Sequence, residues 1–430
     1  MLPLPKWFWV LLPIFIVVLF FFKPNVGGDG YGYYLNAAAF FEDHQPNVDG
    51  QMKVCELHPD CPEIITNPSG KKVVRWGIGF PLLSGPIFIV MLALEKLIPI
   101  SLDPALLVKF GIPFFRGIAL PLTSLALFIL TLFALPKILR EMNRNPPPQK
   151  TDIFEIITLG FFSFPIIWYI TYSPSYSHVA EAALVTLAIL AFLRDKPFLL
   201  GIALGISTLI RYTSGVFFIP FLLYYFFVKK DQPKTISFLG GILPFFAMLA
   251  IFFQVQFGAL FGSPYLKEFI LDPGLMLVNM FRIFFDLDRG LLVWTPLFLL
   301  AIYGIWKWND VRKYPLLACI ALNVVVYSTF NAWDAGWGFS NRYFAVFFPV
   351  HVMGLFVLYS KPLFKKIIFI LTAYSVLLFF LFLGMSRVML DDVWFFTRLL
   401  HYYFVDGNWV TFPQTIINNI PLIRVLKGDL

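Results

Sequence analysis

The run from Trp7 to Phe22, WFWVLLPIFIVVLFFF, carries no charge and is followed at once by KPNVGGDGYGYY, Lys23 to Tyr34. An apolar run of this length approaches the roughly 20 residues a helix needs to cross about 30 Å of hydrocarbon. Comparable runs extend from Ile236 to Phe257, Leu291 to Trp306, Tyr314 to Trp333 and Ile367 to Met385. Of the 430 residues, 59% are hydrophobic and 13% charged, and the mean hydropathy is +0.78. No water-soluble globule of this size buries so much apolar surface. The sequence therefore predicts an all-α integral membrane protein with lipid as its solvent.

Short loops set the orientation, because Lys and Arg near helix ends stay on the cytoplasmic side. The basic groups around Lys6, Lys137 to Lys150, Arg194 and Lys196, Lys229 to Lys234, Lys307 to Lys313 and Lys361 to Lys366 can all lie on that side. This solution gives about 11 transmembrane helices, near 7–22, 117–136, 153–171, 176–193, 197–212, 214–228, 236–257, 290–306, 314–333, 343–359 and 367–385. Segments 197–212 and 214–228 are short enough to form a re-entrant pair without changing the other orientations.

Residues 1–385 then form one transmembrane domain, with a long first extracytoplasmic loop at about 23–116 that carries interfacial helices. A short extracytoplasmic tail spans 386–430. The apolar stretch Ile78 to Leu94 is laid along the outer interface, since a further crossing there would invert every later basic loop. Pro81, Gly85 and Pro86 are expected to interrupt it, and Glu95 and Lys96 to end it. No small-x-small cleavage site follows Phe22, so the first run reads as a retained helix and not as a signal peptide. The formal charge of +8 is scattered between apolar runs, which fits membrane orientation and gives no nucleic-acid partner.

Function should sit on the outer face. Asp29 follows the first crossing among glycines that let other groups approach its backbone. A partly desolvated carboxylate there can take a proton from an acceptor hydroxyl; an Asp capping a short helix among belt tyrosines, Tyr33 included, is the other reading. Arg211 and Arg289 end and open apolar runs at headgroup depth, where a guanidinium binds two oxygens of a lipid phosphate or snorkels to ordinary lipids. His178 and Glu181 share a helical face and could line a polar cavity, with Ser177 as an N-cap in the structural alternative. Trp333, Trp337 and Arg342 lie in a segment mixing aromatics with hydrogen-bonding groups, as a sugar site or an aromatic belt would.

Cys55 and Cys61 lie close together in the long polar loop, either as a disulfide, which needs an oxidising compartment, or as two free thiols. There is no Gly-x-x-x-x-Gly-Lys loop, His-Glu-x-x-His, Cys-x-x-Cys or Gly-x-Ser-x-Gly. The crossings carry little charge, which argues against an ion-coupled transporter.

Asp29 after the first helix, Trp76 to Leu83 leading to Pro86, Ser177-His178 opening a later helix, Arg-Gly-Leu-Leu-Val-Trp-Thr-Pro from Arg289, and Gly338 to Tyr343 recur in this order. The set, spanning about residues 7 to 385, resembles the multi-pass glycosyltransferases of the C superfamily (GT-C), which include protein mannosyltransferases and aminoarabinose transferases of lipid A. The resemblance implies inverting transfer from a polyprenyl-phosphate-linked sugar donor to a lipid, glycan or protein acceptor. It gives Asp29 the role of general base, and Arg289 and, by position, Arg211 that of holding the carrier phosphate. Tyr33, Trp76, His178, Glu181, Trp337 and Arg342 are the candidates for the acceptor or sugar pocket.

Many members carry a second acid beside the first or a His-Pro-Pro sequence further on. Here Asp29 stands alone and His58-Pro59-Asp60 matches in part. Glu42, Asp43 and Glu181 are the remaining candidates for a second carboxylate or a divalent metal ligand. A lipid-linked sugar translocase using the same arginines without a base is the competing function, and a structural subunit of an envelope complex is a third. Proline blocks the one Asn-x-Ser sequence, Asn67-Pro68-Ser69, which leans toward a bacterial inner membrane with the site facing outward.

Overall fold

The computed structural model describes residues 6–56, 64–98, 112–142, 150–262, 264–336, 338–385, 399, 401–408, 411–421 and 423. In chain order the first elements are α1 (Lys6–Phe21), α2 (Gly30–Phe41), α3 (Met52–Glu56), β1 (Ile64–Thr66), β2 (Lys72–Val74), α4 (Gly79–Leu97) and α5 (Phe114–Glu141). Then come α6 (Lys150–Phe162), α7 (Ile166–Thr171), α8 (His178–Leu193), α9 (Pro197–Ile210), α10 (Phe218–Leu223), α11 (Gln232–Phe257) and α12 (Pro273–Phe285). The last are α13 (Leu291–Trp294), α14 (Leu297–Lys307), α15 (Lys313–Ser328), α16 (Phe348–Leu358), α17 (Pro362–Met385) and α18 (Phe412–Asn418).

Among the described residues, five helical segments are long and apolar enough to cross a membrane: α4, α5, Tyr212–Lys229, α11 and α17. Seven shorter apolar helices accompany them. The outward faces are apolar as well: Ile236, Leu243, Ile251 and Val255 on α11 and Leu363, Ile370 and Leu377 on α17 are each at least 51% exposed. Water would penalise so large an apolar surface and lipid does not. The chain is an integral membrane protein.

Each expected crossing contains helix, but the segments do not reduce to eleven continuous helices. Pro165 separates α6 from α7, and Thr295-Pro296 separates α13 from α14. The expected interruption of 78–94 is corrected: α4 is one unbroken helix of 19 residues. Pro81 lies in its first turn, where an N–H has no intrahelical partner, and Pro86 removes only one ladder bond. The stretch 258–289, read as a loop, contains α12, whose Asn279 and Ile283 are buried while Leu277, Val278 and Phe281 face outward.

The all-α reading also misses an antiparallel hairpin, with Ile64 opposite Val74 and Thr66 opposite Lys72. Its β-branched strands suit pairing. Asn67 organises the turn: its Oδ1 accepts from the Ser69 and Lys71 amides at 3.0 and 2.9 Å, and Gly70 supplies a φ of +80°.

The helices form two compact units. The first comprises residues 1–22, 132–172 and 270–430. Here α6 packs on α1 and α16, and α14 on α16. The His351 ring stacks on Phe164 at 4.5 Å, with its Nε2 3.0 Å from Ser163 Oγ. In the tail, the Tyr403 hydroxyl and Asn419 amide donate to the carbonyls of Leu381 and Leu383, both at 3.0 Å. The described tail residues thus pack back onto the end of α17.

The second unit comprises residues 23–131 and 173–269. Its central helix, α9, packs on α8, α11 and the start of α4, while α2 packs on α4. Both units draw two helices together at paired glycines, Gly304 with Gly354 and Gly201 with Gly241. Small residues allow the close backbone approach that substitutes for a hydrophobic driving force in lipid.

A Cβ at Gly354 would collide with the Ala301 carbonyl, whereas one at Gly240 meets nothing within 4 Å. Gly354→Ala should therefore destabilise the detergent-purified protein by about 1–3 kcal/mol through overpacking. Gly240→Ala should stabilise it by roughly 0.5–1 kcal/mol through helix entropy. Opposite shifts in melting temperature are the expected result.

Candidate functional site

The second unit gathers most of the chemistry. The chain leaves Phe22 and turns through Gly27 and Gly28, where the Gly27 amide donates to Ser175 Oγ at 3.2 Å. Asp29 then precedes α2, its carbonyl accepting from the Gly32 amide at 3.1 Å. Its side chain makes no capping hydrogen bond, so the carboxylate is not committed to the helix end. Asp29 is half-buried.

One turn along α2, the buried Tyr33 hydroxyl lies 2.7 Å from Ser177 Oγ. Ser177 does not cap α8 through its side chain, which corrects that expectation: the hydroxyl is taken by Tyr33. His178 and Glu181 follow in the first turn of α8, both buried. Glu181 accepts from Ser214 Oγ, and its Oε2 lies 3.3 Å from Arg211 Nε. Arg211 ends α9 in an extended conformation, φ −140° and ψ 117°, which turns Tyr212 toward the start of α4. There the Tyr212 hydroxyl donates to the Arg75 carbonyl at 3.4 Å.

Trp76 returns the path to α2. Its indole lies against Gly32 so closely that any Cβ there would overlap the ring. On its other side the indole stacks on Tyr265, 6.1 Å between centroids at 13°. Burial pushes the Tyr265 hydroxyl well above its usual range, with smaller effects from Tyr33, Arg75 and Asp29; the phenol stays neutral. Asp29, Tyr33, Trp76, His178, Glu181 and Arg211, scattered over 183 positions of sequence, thus belong to one linked set.

The remaining candidates lie elsewhere. Arg289 and Arg342 belong to the first unit. The Arg289 guanidinium donates to the Gly338 carbonyl, and burial, partly offset by Asp334, pushes its proton affinity down to about 10. Cys55 lies within α3 and is disulfide-bonded. Cys61, His58 and Trp337 lie outside the described residues.

The candidate metal ligands do not converge. Glu42 binds Arg116, Asp43 accepts from Gln51 Nε2 at 3.0 Å, and Glu181 serves Arg211. Among the described residues no three His, Cys, Asp or Glu side chains form a metal-holding group.

No protein-family model and no curated protein matches the chain. Among solved structures, the apo oligosaccharyltransferase of Archaeoglobus fulgidus is similar, with a TM-score of 0.47 and 12% sequence identity. The match covers 96% of this chain and 55% of the archaeal one, so the chain spans about half the length of that protein.

Arg75, Tyr265 and Glu268 escape sequence reasoning, although they are part of the cluster. The one local cue is the basic-aromatic pair Arg75-Trp76 set directly before Gly77 and Gly79.

Glu181 and Arg211 are 4% and 15% exposed. Removing one member of such a pair strands a buried charge, at a cost of about 3–5 kcal/mol, while removing both is far milder. Arg211→Met should lower the melting temperature sharply, and adding Glu181→Gln should restore most of the loss. Equal losses in the single and double variants would show that the two groups are not coupled.

Proposed function

We propose that the chain is a glycosyltransferase that moves a sugar from a polyprenyl-phosphate carrier to an acceptor hydroxyl at the outer face of a bacterial inner membrane. The observation that carries this reading is Asp29, a half-buried carboxylate that does not cap its helix and sits beside aromatic side chains with basic groups close by. Stacked aromatic surface suits the apolar faces of a sugar ring, and guanidinium groups suit a phosphate. The disulfide-bonded Cys55 in the same loop supports an oxidising, extracytoplasmic setting.

In the proposed step the acceptor oxygen attacks the anomeric carbon as Asp29 takes its proton. The bond from that carbon to the phosphate oxygen breaks, and its electron pair leaves with the carrier phosphate. Attack opposite the leaving group inverts the configuration. Arg211, oriented by Glu181, stabilises the departing anion. Tyr33, Trp76 and His178 shape the pocket for sugar or acceptor. The burial of Arg289 and its bond to the Gly338 carbonyl favour a structural role over gripping a carrier.

Membranes containing the protein should transfer radiolabelled sugar from a polyprenyl-phosphate donor, and Asp29→Asn at equal abundance should cut the rate by about 10²–10⁴-fold. Full transfer by a folded Asp29→Asn protein would remove the base assignment. Donor flipping in vesicles that persists in Asp29→Asn but stops in the Glu181→Gln/Arg211→Gln double variant, which removes the pair without stranding a charge, would replace catalysis with translocation.

A further inference from the structure

The cluster holds a cation that the proposed step leaves without a task. The Arg75 guanidinium carbon lies 4.6 Å from the centroid of the Trp76 ring and 5.3 Å from that of Tyr265. Its Nη1 donates to Glu268 Oε1 at 3.3 Å, and the two side chains are 25% and 31% exposed. A guanidinium resting on aromatic faces keeps its planar fork of N–H donors, the shape that grips two oxygens of one phosphate. Trp76 also touches Gly32, one turn along from Asp29, and Arg75 and Asp29 both act electrostatically on Tyr265, which puts the fork and the carboxylate in one neighbourhood.

Arg75 and Arg211 of the second unit and Arg289 of the first differ in what a phosphate would have to displace. Arg211 faces a carboxylate that is almost wholly buried, and separating that pair strands a charge. Arg289 is 4% exposed and holds a main-chain carbonyl. At Arg75 the Glu268 carboxylate is 31% exposed, against 4% for Glu181, so water takes up more of its charge when the contact opens.

We propose that Arg75 binds a phosphate oxygen of the substrate beside Asp29, and that Glu268 is the internal anion which occupies the guanidinium until phosphate displaces it. This rests on the lipid-phosphate reading above and adds to it a binding residue and a gate. Glu268 lies 193 residues along the chain from Arg75, so the arriving phosphate releases the segment carrying Glu268 and Tyr265 from the loop that carries Trp76. The phosphate belongs to a prenyl carrier; free phosphate and ordinary phospholipid headgroups share the chemistry and are separated by the test.

The test is equilibrium binding of radiolabelled farnesyl phosphate to the full-length protein in a neutral detergent, with inorganic phosphate and phosphatidylglycerol as competitors. Arg75→Gln should weaken binding by about tenfold or more, the loss of a charge-assisted hydrogen bond. Glu268→Gln should tighten it by about threefold or more, because the internal competitor loses its charge. Inorganic phosphate should compete weakly with wild type and less with Arg75→Gln, and phosphatidylglycerol should not compete.

A merely structural clasp would weaken binding in both variants, and that result, like no change in either, overturns the proposal. Phosphatidylglycerol competing as well as farnesyl phosphate would overturn the substrate assignment. Should Arg75→Gln fail to fold, Glu268→Gln still decides by the sign of its effect. Binding needs no turnover, so loss of the transfer reading through Asp29→Asn is scored separately from loss of this one.

Discussion

Gly77 and Gly79 press the start of α4 onto the last turn of α9 so closely that a Cβ on either would overlap main-chain atoms of Leu209 and Ile210. The rest of the cluster follows from that contact. Immediately before the glycines come Arg75 and Trp76; immediately after Ile210 come Arg211 and Tyr212. Backbones in such contact leave these four side chains no choice but to share one region. The Trp76 indole then finds its seat on Gly32, one of two glycines in that turn of α2, the other, Gly30, being packed on Ser175. In lipid, where burying apolar surface adds little between helices, close main-chain packing of this kind is the specific force available.

Low dielectric imposes a second order on the same region. A charge that cannot reach water must find a partner, and in the second unit each buried one does. Arg116 forms a two-pronged bond with Glu95, both contacts at 3.0 Å, and binds Glu42 as well. Glu181 satisfies Arg211 and Ser214. Glu42 and Glu181 are thus both engaged by guanidinium groups. Arg75 and Glu268, 25% and 31% exposed, are more hydrated than the Arg211–Glu181 pair.

The apolar runs were legible because length and the absence of charge are what a helix in lipid requires. Asp29, Tyr33, His178 and Glu181 were legible because each opens a helix, where a polar residue stands out against its neighbours. Proline was over-read: it punctuates soluble helices, but Pro86 sits inside α4 at the loss of one hydrogen bond. The helix α12 was missed because its apolar face is interrupted by Asn279 and Arg282, which break the uniform run expected of a crossing. Tyr265 and Glu268 had no local signal, since their meaning depends on a partner almost two hundred residues away.

The two units also differ in what their interiors can do. In the first, His351 stacks on Phe164 and bonds Ser163, Trp294 is packed edge-on by Phe339 and Phe382 at 5.3 and 5.6 Å, and Arg289 binds a carbonyl. These side chains are held in packing. The second unit instead keeps a carboxylate that caps nothing, a neutral phenol and a guanidinium in a long, partly hydrated contact. Chemistry needs groups whose partners can be exchanged without dismantling the fold, and that property separates the region around Asp29 from the rest of the buried polar residues.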